Sequence, residues 1–96
     1  MVGGLKMIVV KEGHEREFES LFGELRDKMC EDEPGCLLCS LLKSRTNPRS
    51  YIVQEQYRHQ AATEVHEASP HRRVYFPKIR AILESIQVEY FDDVVA

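Results

Sequence analysis

The sequence predicts an α+β fold of the ferredoxin-like, split βαβ kind: a four-stranded antiparallel sheet with helices against one face. Three observations lead there. Four short stretches rich in aliphatic and β-branched residues alternate with stretches whose apolar residues follow the helical period. Their order along the chain is β-α-β-β-α-β, the second helical region holding a short helix and a longer one. A chain of 96 residues has room for one core, so residues 1–96 read as one domain.

The first strand is expected at residues 5–11, where Met7, Ile8, Val9 and Val10 are apolar and partly β-branched, with Glu12-Gly13 closing it. A helix follows over residues 14–30. Its Phe18, Leu21, Phe22, Leu25 and Met29 fall 3, 1, 3 and 4 apart, which is one stripe at the helical period. Glu15 and Glu17 suit the positive end of that helix's dipole. Glu33-Pro34-Gly35 turns the chain. The second strand, residues 36–42, is apolar enough to be covered on both faces. Thr46-Asn47-Pro48-Arg49 makes a polar hairpin loop into the third strand, residues 51–57. There Tyr51, Val53, Glu55 and Tyr57 share one face, and Ile52, Gln54 and Gln56 the other.

A short helix over residues 60–67 precedes Ser69-Pro70, an N-cap followed by proline at the first helical position. The next helix is expected to run to about residue 85, with Val74, Ile79, Ile82, Leu83 and Ile86 as its apolar contacts. Pro77 lies inside it and should kink or restart it, because the missing N–H breaks a turn. Residues 87–95 form the last strand. The aliphatic and tyrosine side chains of four strands cannot all face the helices, so the second sheet face needs cover. A face-to-face homodimer, two sheets approximating an α+β barrel, supplies it.

Composition removes several functions. With 13 basic and 16 acidic residues the net charge is −3, and the cations are spread thinly, which argues against nucleic-acid binding. No apolar run approaches the ~20 residues of a membrane span. The start of the chain lacks the cationic and apolar pattern of a secretory signal, and 3 cysteines cannot all pair internally, so a cytoplasmic protein is expected. The sequence carries no glycine-rich phosphate loop, dinucleotide fingerprint or nucleophile elbow, so no cofactor is expected.

A few residues invite a chemical reading. Cys36-Leu37-Leu38-Cys39 has C-x-x-C spacing, but in a strand residues three apart point to opposite faces, and the cysteines read as structural. His66-Glu67-Ala68-Ser69-Pro70-His71 is one residue too long for the zinc motif H-E-x-x-H, and histidines five apart on one helix sit about 140° around from each other. No metal site is expected. His66 lies at an element junction, where pockets form, against the alternative of a buried hydrogen-bonded histidine. His14 and His59, at element ends, read as solvated. Glu55 is costly to bury unpaired, and is either a base of raised pKa or one half of an ion pair, with an arginine across the dimer as partner. Glu31-Asp32-Glu33 reads as a solvated helix end.

Lys11-Glu12-Gly13, Glu17-Phe18, Glu33-Pro34-Gly35-Cys36, Glu55-x-Tyr57, and then His66, Ser69 and His71 together resemble the antibiotic biosynthesis monooxygenase (ABM) domain family, in the right order from about Met7 to Phe91. The resemblance implies the same fold and the same sheet-to-sheet homodimer. It also implies cofactor-independent oxidation of a small aromatic phenol or quinol by O2, since in the phenol-oxidising members the deprotonated substrate itself reduces oxygen. Carried over by position, it implies proton abstraction by His66 and a pocket lined by Tyr57, where members often have tryptophan. His71, Arg72 and Tyr75 become substrate neighbours, and Glu55 matches the family's strand glutamate. Haem degradation, known in another branch, is disfavoured: the iron ligand would fall near Phe76, tryptophan is absent, and the only asparagine is Asn47 in a loop. Two rivals stand beside this reading. One is an oxygen-independent enzyme processing or isomerising a small carbonyl compound. The other is a non-catalytic small-molecule-binding dimer.

Overall fold

The computed structural model describes residues 1–96. Strands β1 (Val2–Val10), β2 (Cys36–Lys43), β3 (Ser50–Tyr57) and β4 (Leu83–Asp92) form one sheet in the order β2-β3-β1-β4. Every neighbouring pair is antiparallel. Helices α1 (Glu15–Asp32), α2 (Gln60–Glu67) and α3 (Pro70–Ala81) complete the expected ferredoxin-like α+β order.

The helical stripe forms the core. Phe18, Phe22, Leu25 and Met29 of α1 are buried against Ile8, Val10, Tyr51 and Val53 of the sheet, with the Phe18 and Tyr51 ring centroids 4.8 Å apart. Fully burying each such side chain is worth roughly 1.5–3 kcal/mol. Alternation then sorts the strands. Val2, Ile8 and Val10 of β1 are buried, whereas Met7, pointing the other way, is 52% exposed. Gly13, with φ of +86°, takes the left-handed turn that releases the chain from β1 into α1.

The structure corrects several expected boundaries. β1 starts at Val2 and so includes Gly3 and Gly4, because β3 and β4 flank it on both sides as far as Val2 and their ladders override weak strand propensity. The third helix ends at Ala81 rather than near residue 85, and Leu83 already pairs with Val10 across a register shift. Leu83 and Ile86 therefore belong to β4. That strand ends at Asp92, opposite Val2 where β1 begins, and Val94 and Val95 lie beyond it, exposed. Pro77 sits inside α3 without dividing it. β2 is an edge strand covered on one face only, with Leu37, Leu38 and Leu42 exposed.

One irregularity overturns the cysteine argument. The register of β2 against β3 shifts between Cys36 and Leu38, so Cys36 pairs with Tyr57 and Cys39 with Glu55. The bulge puts both cysteines on the helix side, where strict alternation would have separated them. Cys39 is buried, Cys36 is half-buried and both are free.

Candidate active site

Three side chains from three elements meet beneath the helices. Glu33 follows the last residue of α1, His66 lies in the last turn of α2, and His71 lies in the first turn of α3. Glu33 Oε2 is 3.0 Å from His66 Nδ1 and also contacts His71 Nε2. Glu33 and His66 are only 3% and 2% exposed. An ionised Glu33 can only accept, so each imidazole presents an N–H to it. Glu33 Oε1 is buried and has no hydrogen-bond partner. His66 Nε2 makes no hydrogen bond within the chain.

Local sequence explains the meeting. The Glu33 N–H closes α1 on Met29 O, and Cys36 N–H donates to Glu33 O, so the Glu-Pro-Gly turn holds its own first residue. At Gly35 a Cβ would lie 2.6 Å from the Ala62 Cβ, so only glycine lets α2 come this close. Ser69 Oγ donates to His66 O at 2.6 Å and accepts from Arg72 N–H at 3.3 Å. That serine ends one helix and caps the next. The break re-aims the chain, and two histidines that would diverge on one helix face one carboxylate. The argument that these histidines diverge fails for that reason: donor atoms of Glu33, His66 and His71 all lie within 4.8 Å of one another. The solvated-end reading of Glu33 fails with it.

A second buried network adjoins the first. Glu55 Oε1 is 2.9 Å from Lys6 Nζ, and Glu55 Oε2 accepts from Tyr57 Oη at 2.6 Å. The partner of Glu55 is thus a lysine of the same chain, rather than an arginine across a dimer. Burial pushes the Glu55 carboxyl up, but the Lys6 ammonium and the Tyr57 hydroxyl outweigh it, and the net result lies below the ordinary carboxylate value. Burial, followed by the Glu55 charge, pushes the Tyr57 phenol strongly up. The Tyr57 ring lies 5.8 Å from the His66 ring, centroid to centroid, and joins the two networks.

The sequence-predicted residues thus divide. His66, Tyr57, His71 and Glu55 come together, all buried. Arg72 and Tyr75 stay apart from them on α3: the Arg72 guanidinium stacks 4.5 Å from the Phe76 ring centroid, and Tyr75, half-buried, packs against the main core. Sequence reasoning missed Glu33 and Lys6. A glutamate opening a Pro-Gly turn, and a lone cation in an apolar strand, were the available signals. The concavities touch these residues only at Glu33 and Glu55. One of about 470 Å³ is on the sheet face away from the helices, among Met7, Val9, Leu42 and Ile52. Another, of about 310 Å³, is lined by Glu33, Pro34, Gly35, Arg58, Ala62 and Val65. His66 lines neither.

The profile of the family described as Antibiotic biosynthesis monooxygenase matches residues 1–78. The chain belongs to that family. The ABM match takes in Glu33, Glu55, Tyr57, His66, His71, Arg72 and Tyr75, and it stops before β4. Solved structures agree. A protein of Caulobacter crescentus CB15 assigned to the antibiotic biosynthesis monooxygenases shares 27% identity, with a TM-score of 0.93 over 98% of this chain and 90% of that one. Another antibiotic biosynthesis monooxygenase shares 25% identity and a TM-score of 0.89 over 99% of this chain and 100% of that one. A variant of SnoaB, a cofactor-independent oxygenase from Streptomyces nogalater, shares 22% identity and a TM-score of 0.89 over 99% of this chain and 94% of its own, a likeness of fold. A comparison with curated proteins finds no match. No helix of this ABM chain is long and apolar enough to cross a membrane.

Proposed function

We propose that this chain is a cofactor-independent monooxygenase that oxidises a small aromatic phenol or quinol, with His66 as the general base. The observation that carries the reading is the buried Glu33–His66 pair. A carboxylate on Nδ1 fixes the tautomer in which Nε2 keeps a free lone pair, the arrangement a base needs to take a hydroxyl proton. The resulting phenolate gives an electron to O2. One oxygen atom enters the ring, the other leaves as water, and the phenol, having lost two hydrogens and gained one oxygen, ends as a quinone. Membership in the ABM family and the likeness to SnoaB support this chemistry. Arg72 and Tyr75, partly exposed on α3, are assigned to the mouth of the substrate site, with Tyr57, Glu55 and His71 forming its inner wall. The assembly proposed is a homodimer through the sheet faces.

The test is oxygen uptake by metal-free protein against a panel of quinols and anthrone-like phenols. Base removal costs about 100- to 10,000-fold, so His66→Ala should lose at least about 100-fold while keeping its circular dichroism spectrum. Equal uptake by His66→Ala and wild type would end the assignment. One observation favours a second reading, a non-catalytic small-molecule-binding dimer: His66 is only 2% exposed and lines neither concavity. Absence of uptake from a folded dimer across the whole panel would turn the choice that way.

A further inference from the structure

We propose that Glu33, His66 and His71 form a binding site for a divalent cation of the zinc class. Two histidines and a glutamate are a known zinc donor set, with Zn–N and Zn–O bonds of about 2.0–2.2 Å. Tetrahedral bonds of that length put donor atoms about 3.3 Å apart, and the observed spacing of 3.0 Å between His66 Nδ1 and Glu33 Oε2 is close to that edge. All three donor atoms lie within 4.8 Å of one another. The unpartnered Glu33 Oε1 is an independent sign of a missing partner. Hydrogen bonding to the two histidines uses only Oε2 and leaves this buried oxygen unsatisfied, at a cost of roughly 1–3 kcal/mol. A cation accepts either carboxylate oxygen, or both. The concavity lined by Glu33, Pro34 and Gly35 adjoins the three residues.

The cysteines are poor competitors. Burial pushes the Cys36 thiol up to about 11 and the Cys39 thiol up to about 12, so neither offers a thiolate near neutral pH. The ion would join the end of α1 to α2 and α3. It has one functional consequence, which rests on His66 being the base. A neutral imidazole with a metal on Nδ1 carries its single proton on Nε2, so the loaded protein has no free base, and zinc opposes the oxidation.

The experiment is titration of EDTA-treated full-length protein with Zn2+ by calorimetry. The expected result is one ion per chain, with affinity lowered about 100-fold or more in Glu33→Gln and in His71→Ala, and unchanged in His14→Ala. Absence of stoichiometric binding to wild type, or binding retained in both variants, overturns the site. Cobalt loading of the wild type decides the matter even if the variants do not fold. Nitrogen and oxygen ligation supports the site, and a thiolate charge-transfer band overturns it. Oxygen uptake is read separately. If metal-free protein consumes oxygen and zinc suppresses it, the linkage stands. If metal-free protein is inactive while zinc binds one to one, the oxygenase reading fails and the metal site survives.

Discussion

Glu55 shows what one residue costs and contributes in this molecule. Its carboxylate is buried but held by Lys6 and Tyr57, so its folded pKa is depressed. As pH falls, the unfolded chain takes up that proton first. The stabilisation is complete above the unfolded pKa and is lost as pH drops through the folded one. Urea midpoints measured from about pH 6 to about pH 3 should therefore fall less steeply for Glu55→Gln than for wild type, and parallel curves would show that Glu55 carries no such linkage. Tyr57→Phe removes one hydrogen bond to a charged group and should cost about 1.5–3 kcal/mol, measured by the same denaturation. At this scale the sequence showed which residues were chemically expensive. Who paired with whom was hidden, because Lys6 and Glu55 lie 49 positions apart and meet only through the β1–β3 register.

The α2–α3 junction is where an element boundary creates chemistry. Ser69 both ends α2 and caps α3, and its hydroxyl holds His66 O while accepting from Arg72 N–H. Ser69→Ala should cost about 1 kcal/mol in stability. It should also lower oxygen uptake, because the angle between the two helices aims both histidines at Glu33. Unchanged uptake at reduced stability would confine the serine to capping. Gly35→Ala should be worse tolerated: its Cβ would meet that of Ala62 at 2.6 Å, and pushing α2 away from the turn costs about 1–3 kcal/mol. The cap and the proline after it were legible in the chain, since Ser-Pro at a helix start has a local cause. The shortened α3 was not, because Leu83 and Ile86 suit a helix face as well as a strand, and pairing with β1 made the choice.

For the whole molecule the open sheet face matters most. Met7, Leu38, Leu42 and Phe91 stand exposed there, all on the side away from the helices. Gln54, Gln56, Gln87 and Glu89 share that face with them, and the proposed homodimer would cover its exposed apolar side chains. Deleting residues 91–96, or placing charge at the centre with Met7→Glu, should give monomers or aggregates in sedimentation velocity and lower the thermal midpoint. A stable, well-folded monomer after either change, with wild-type stability, would count against the sheet-to-sheet dimer.

By itself the sequence determined what local physics determines. The helical stripe of α1, the α2 span, the Ser69-Pro70 start of α3 and the order of strands and helices rest on residues near one another in the chain, and the family resemblance rests on the order of such short pieces. The tertiary structure decided what depends on distance. It brought Glu33 to His66 and His71 across more than thirty positions, the closer pair being 33 apart. It chose Lys6 for Glu55, turned both cysteines to one face through a bulge, and ended α3 where β1 needed a partner. The reason is the same in each case. A buried charge or an unpaired strand is satisfied by whichever group the fold brings near, and the one-dimensional spacing of residues does not record that proximity.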